Sequence, residues 1–279
     1  MVNSIWKTKN YTNGLQRQVC AVWKVQACFE HWLMFWYCKI KINIFPNGGT
    51  TMKPGKLYGV SVGPGDPALM TLKAAECIRC CPVLAAPRMA SGKTLALDIA
   101  AAAVDISGKQ IEYLSLPMTR DADALLASRQ QAAGQIAAHL EHGEDVALLN
   151  LGDASLYSSY SYLCRLLCTQ GYAAETIPGV PSFCACAAQL NRSLAETDQP
   201  LQILPAAMPN LAAALLQPGG KVVMKAGSSL AGLKQLLQEL GLTEHAVLVT
   251  DCGLPSQQIY QDLHQAPDTA GYFSTLLLR

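Results

Sequence analysis

The chain has 279 residues, 51% of them hydrophobic and 15% charged, and a net charge of +1. That length holds one large domain or two small ones, each with its own core, and the composition excludes a disordered chain. A near-neutral balance exerts no global pull toward nucleic acid or membrane, so any charged binding surface is local.

The eleven cysteines are an odd number in a long chain. This argues against a disulfide framework and for reduced thiols in a cytosol, most of them small core hydrophobes. Residues 1–51 stand apart. They hold Lys7, Lys9, Arg17, Lys24, Lys39 and Lys41 against one acid, Glu30, and contain all four tryptophans. The apolar run 29–37 is too short to span a bilayer, and no small-residue cleavage site follows it. The expectation is an extension without fold value over residues 1–52, with the folded chain beginning near Met52. A short membrane or partner anchor is the alternative.

From Lys56 strand and helix patterns alternate. Residues 56–62 read as a strand, 69–80 as a helix, 82–86 as a strand, 94–104 as an alanine-rich helix and 110–114 as a third strand. The clearest helix runs over 121–142, with Leu125, Leu126, Ala132, Ala133, Ile136, Ala137 and Leu140 on one face. Asp121 and Asp123 at its start and His139 and His142 at its end match the helix dipole, and Gly143 stops it. A strand at 145–151, a helix at 155–168, a strand at 173–177 and a short helix at 183–190 follow. Beyond Asp198-Gln199-Pro200, strands at 201–205, 221–225 and 246–250 alternate with helices at 210–216 and 229–240, and 258–263 and 271–278 read as closing strands. The pattern predicts an α/β protein of mostly parallel or mixed sheets with flanking helices, in two domains, 53–180 and 181–279.

Three strands end in turn-forming corners: Gly63-Pro64-Gly65-Asp66-Pro67, Leu151-Gly152-Asp153, and Pro178-Gly179-Val180-Pro181-Ser182. Asp153 or Ser155 fits as the cap of a following helix. Ligands of open α/β sheets bind beyond the carboxyl ends of strands, so the three corners point to one shared pocket.

Other signals fall away on inspection. A dinucleotide fingerprint after the first strand needs a glycine at 68, where Ala68 stands, and an acid after the second strand, where Arg88 stands. Ser91-Gly92-Lys93-Thr94 lacks the earlier glycine of a phosphate loop, Pro87 occupying its place; Lys93 is still suited to face an anionic ligand. Cys77-x-x-Cys80-Cys81 has no second cluster to complete a metal site. The five histidines are scattered, and no nucleophilic triad assembles.

The segment from Lys56 to Pro67, with Leu151-Gly152-Asp153 and Ile177-Pro178-Gly179-Val180 in order behind it, resembles the tetrapyrrole (corrin and porphyrin) methylases. Within that family Ser155 to Leu163 and the ending Tyr272 to Arg279 resemble the precorrin-2 C20-methyltransferase branch of cobalamin synthesis. The similarity covers about residues 53–279. It implies a two-domain enzyme with a cleft between the domains, S-adenosylmethionine as methyl donor and no protein-bound metal. Pro64, Leu151, Gly152, Asp153, Leu156, Pro181, Ser182 and Lys225 would bind the cofactor. The chain departs from the family pattern at Ala154, usually proline, and at Pro181, usually threonine or serine. Pro181 has no N–H, so a contact there must come from its carbonyl or from Ser182.

Methyl transfer from a sulfonium needs orientation more than a protein nucleophile, in agreement with the missing triad. Asp153 and Tyr157 are the candidate catalytic residues, to accept the proton leaving the methylated carbon. Arg88, Lys93, Arg120 and Lys225 are candidates to hold the carboxylates of the tetrapyrrole substrate. The expected activity is methylation of carbon 20 of cobalt-factor II or precorrin-2, with the abundant thiols favouring the cobalt form. Another ring methylase, of uroporphyrinogen or precorrin-4 type, and a catalytically silent binder are the alternatives. The resemblance further implies a cytoplasmic homodimer, with neither nucleic acid nor membrane as partner.

Overall fold

The computed structural model describes residues 53–88, 92, 94–117, 119 and 121–279. The N-terminal extension, Lys93 and Arg120 lie outside them. Five strands, β1 (Lys56–Ser61), β2 (Val83–Arg88), β3 (Gln110–Ser115), β4 (Val146–Asn150) and β5 (Ala173–Ile177), form a wholly parallel sheet in the order β3-β2-β4-β1-β5. The unbroken apolar run of β4 follows from its central place, where every residue is buried between helices on both faces. Helices α1 (Leu72–Cys80) and α2 (Leu95–Ala103) cover one face through Ile78, Leu97 and Ile99. On the other, α3 (Ala122–Glu141) and α4 (Tyr160–Thr169) pack Ile136, Leu140, Leu163 and Leu167.

The second sheet is mixed. Its strands β6 (Leu201–Pro205), β7 (Gly220–Met224), β8 (Ala246–Thr250), β9 (Gln258–Tyr260) and β10 (Ser274–Leu278) lie in the order β6-β7-β10-β8-β9. β6 and β7 are parallel, whereas β10 runs antiparallel to both β7 and β8, and β9 antiparallel to β8. The short link between β8 and β9 cannot carry a parallel crossover, so that pair closes as a hairpin. Helix α5 (Ser182–Gln189) packs Phe183 and Cys186 on one face, against Val222, Val249 and Leu277. On the other lie α6 (Leu211–Leu215) and α7 (Leu230–Glu239). Among the described residues no helix is long and apolar enough to cross a membrane.

Gly59, in the middle of β1, is explained by one side chain. The buried ring of Tyr160 lies over it, so that a Cβ there would come within 2.4 Å of the ring carbons. The Tyr160 hydroxyl accepts from the Thr176 hydroxyl at 3.2 Å, and burial pushes the phenol up to about 12. Gly59→Ala overpacks this contact and is expected to lower unfolding stability by about 1–3 kcal/mol. Pairing it with Tyr160→Leu should restore part of the loss in urea titrations; strictly additive losses would disprove the steric coupling.

Candidate functional site: a cleft at three strand ends

β4, β1 and β5 are neighbours in the first sheet, so the corners that follow them emerge side by side at its carboxyl edge. Two buried or half-buried side chains bind the corners to one another. The Ser61 hydroxyl donates to the Ile177 carbonyl at 2.7 Å and accepts from the Ala154 amide at 2.8 Å. The Asp153 carboxylate accepts from the Gly179 amide through Oδ2 at 2.8 Å, and from the Ser155 amide and hydroxyl through Oδ1. The Gly152 amide donates to the Gly63 carbonyl at 2.8 Å. Gly179 must be glycine, because a Cβ would meet Ser61 Cβ at 2.4 Å and the Gly152 carbonyl oxygen at 2.7 Å.

The helix expected from residue 155 begins only at Tyr160. Asp153 is turned onto Gly179 and its own loop instead of capping a helix. Tyr157 takes a left-handed φ of +50° that a helix cannot contain. The loop it shapes is fastened at Asn150, whose Oδ1 accepts from the Ser158 hydroxyl at 2.7 Å; the Ser158 oxygen accepts in turn from the Tyr160 amide at 3.0 Å. Tyr157 reaches across to the second sheet, its hydroxyl donating to the Ile203 carbonyl at 3.2 Å.

Every described residue expected at the cofactor site, Pro64, Leu151, Gly152, Asp153, Leu156, Pro181, Ser182 and Lys225, lines one cleft together with Tyr157. Arg88 does not line it. Its guanidinium stacks 4.3 Å from the ring centroid of Tyr113 on the neighbouring strand. At Pro181 the carbonyl is already used, accepting from the amides of Cys184 and Ala185 at the start of α5. Ser182, in the first helical turn where amides have no helical acceptor, is left to face the cleft.

Several lining residues gave no signal in the sequence: Leu95 and Ala96 of α2, Cys252 after β8, and Tyr272, Phe273, Ser274 and Thr275 at the start of β10. Because β10 is antiparallel to β7 and β8, its first residues lie beside the last residues of those strands. The similarity of the ending to a methylase branch was the one hint of their importance.

Partial burial pushes the Asp153 carboxyl up, but the Gly179 amide and the Ser155 hydroxyl and amide outweigh it and hold the group below its ordinary value. Both oxygens are committed, so this side chain organises the corners. The folded value lies below the unfolded one of about 3.9. The stability Asp153 contributes is therefore complete above that pH and is lost as the pH falls through the folded value. In Asp153→Asn an NH₂ must face one of the N–H donors, at an expected cost of about 1–3 kcal/mol near neutral pH. Urea midpoints across the acid range should fall less steeply for the variant than for the wild type; parallel curves would remove Asp153 from this role.

A family model of the tetrapyrrole (corrin/porphyrin) methylases matches residues 56–267, which include all three corners. The chain belongs to that family. Among relatives of this methylase, the cobalt-precorrin-2 C(20)-methyltransferase of Salmonella typhimurium is 36% identical over 232 residues, 80% of this chain and 96% of that one. The precorrin-2 C(20)-methyltransferase of a Sinorhizobium species is 30% identical over 236 residues, 80% of this chain and 95% of the other. The crystal structure of uroporphyrin-III C-methyl transferase from Thermus thermophilus, complexed with S-adenosylhomocysteine, shares the fold with a TM-score of 0.61. It is 18% identical and the match covers 80% of this methylase and 97% of that chain.

Proposed function

We propose that this methylase transfers the methyl group of S-adenosylmethionine to carbon 20 of cobalt-factor II (cobalt-precorrin-2), with precorrin-2 as the metal-free counterpart, in cobalamin biosynthesis. The observation that carries the reading is similarity to C(20)-methyltransferases along 95–96% of their own length. The higher identity to the cobalt-precorrin-2 enzyme, 36% against 30%, favours the cobalt-containing pigment.

The cleft suits the donor. Leu149, Leu151, Leu156 and Phe273 supply an apolar wall for an adenine, and Ser158, Ser182 and Thr275 supply hydroxyls for its polar end. A Cβ at Gly152 would project into open space, with only the Ser182 amide nitrogen at 3.8 Å and the Val180 carbonyl oxygen at 4.0 Å nearby. That gap is room for a ligand. At about 240 Å³ the cavity lies near the low end of small-molecule sites, roughly 300 Å³, so the larger pigment is assigned to its open mouth.

The donor, when bound, supplies an electrophilic methyl with a neutral leaving group. The residues of this chain hold the reacting partners in line and exclude water, which contributes up to roughly 7–11 kcal/mol of barrier lowering. Asp153 keeps the corners in register. Tyr157, whose hydroxyl lies at the cleft, is assigned the proton that leaves the methylated carbon. Tyr157→Phe is expected to lower kcat by on the order of 10²-fold with S-adenosylhomocysteine affinity retained; an unchanged kcat would discharge the hydroxyl from that role.

The domain boundary is placed between residues 180 and 181: β1 to β5 precede it, and α5, which follows, packs on the second sheet. The family resemblance supports a cytoplasmic homodimer, checked by light scattering of the purified chain. The deciding experiment is anaerobic incubation with S-adenosylmethionine and either pigment, followed by mass spectrometry and NMR. Methylation at carbon 20, faster with the cobalt pigment, is expected. A methyl at another ring carbon would reassign the chain to a different ring methylase, and donor binding without turnover would make it a silent binder.

A further inference from the structure

Lys225 follows β7 directly and lines the cleft with a left-handed φ of +60°. Its ammonium stands 5.4 Å from the ring centroid of Tyr157 and 5.5 Å from that of Tyr272. The two rings come from different elements, one from the corner after β4 and the other from the approach to β10. Tyr157 too is left-handed, at +50°. Such backbone at a residue other than glycine persists only where the surroundings enforce it, and here two such residues meet at one cleft. The rings are 46% and 40% exposed, which sets the ammonium at the mouth of the cleft and not on its floor.

Aromatic faces hold an ammonium in place without neutralising it. Among the described residues that line the cleft, only Asp153 and Lys225 carry a formal charge. The Asp153 charge is spent on Gly179 and Ser155. None of the ion pairs among the described residues includes Lys225. A cleft that admits a sulfonium and also carries an unbalanced ammonium would repel its own ligand. An arriving carboxylate removes that conflict.

We propose that Lys225, sleeved by Tyr157 and Tyr272, is the carboxylate-binding cation of the cleft, with the two rings as positioning residues that fix where its charge stands. The proposal rests on the methylase reading of the site and adds a specificity determinant to it. Carboxylates reach the cleft from the pigment's side chains or from the amino-acid end of the donor. The place of the ammonium at the mouth favours the pigment.

The test uses the full chain and the variants Lys225→Met, Lys225→Arg, Tyr272→Leu and Tyr272→Phe. Pigment affinity is read by anaerobic absorbance titration without donor, and S-adenosylhomocysteine affinity by calorimetry. Lys225→Met is expected to weaken pigment binding by on the order of tenfold or more, as for loss of one charge-assisted hydrogen bond, while Lys225→Arg retains most of it. Tyr272→Leu should weaken it several-fold and Tyr272→Phe should not, because the ring and not the hydroxyl does the holding. Loss of S-adenosylhomocysteine affinity in Lys225→Met in place of pigment affinity would support the same cation and assign it to the donor's carboxylate. Unchanged affinity for both ligands overturns the proposal. Failure of the methylase reading has a different signature: the wild-type chain then binds neither ligand, and the proposal falls with it.

Discussion

Two hydroxyl and carboxylate side chains, Ser61 and Asp153, take up backbone amides that would otherwise point into the sheet edge unpaired. Ser61 sits at the end of β1 between the corners after β4 and β5, and accepts from one while donating to the other. Asp153 performs the complementary task from the second corner to the third. Buried backbone donors must be paired, and loops that leave parallel strands have no ladder partner to supply the pairing. The side chains therefore decide how close the corners stand. With Gly179 pressed against Ser61 and Gly152, the floor of the cleft is assembled from main chain, which moves little.

A floor of that kind suits chemistry in which placement does most of the work. The second sheet meets it in the same manner. A Cβ on Gly65 would fall within 2.6 Å of the Cys252 carbonyl oxygen, and one on Gly253 within 2.7 Å of the Asp66 amide nitrogen. The two halves touch there main chain to main chain, and Tyr157 adds a hydroxyl contact to β6. Flexible side chains are reserved for the rim.

Much of this was legible in the sequence because the signals were local. A strand, a glycine, and a polar residue that turns back on its own loop are contiguous in the chain, so the three corners and the lining they supply could be read there. The strand that pairs with them could not. Tyr272 to Thr275 reach the cleft only because β10 reverses direction between β7 and β8, a property of sheet assembly that no window of residues contains. The late start of α4 was hidden for a related reason: Tyr157 has ordinary helical neighbours, and its left-handed backbone is enforced by the Asn150–Ser158 tie and the reach to Ile203. Arg88 reads as a free cation at a strand end, but its stacking partner Tyr113 is a cross-strand neighbour, 25 residues further along the chain.

The place of β10 also sets an order of events during synthesis. The first sheet is complete once β5 has been made, and its helices can close over it while translation continues. The second sheet cannot follow the same course, because its middle strand is the last one to be made, and until residues 274–278 emerge β7 and β8 each expose an unpaired edge. The nascent chain thus carries a finished half and an open half, and the open half is where an aggregating partner strand or a chaperone would find purchase.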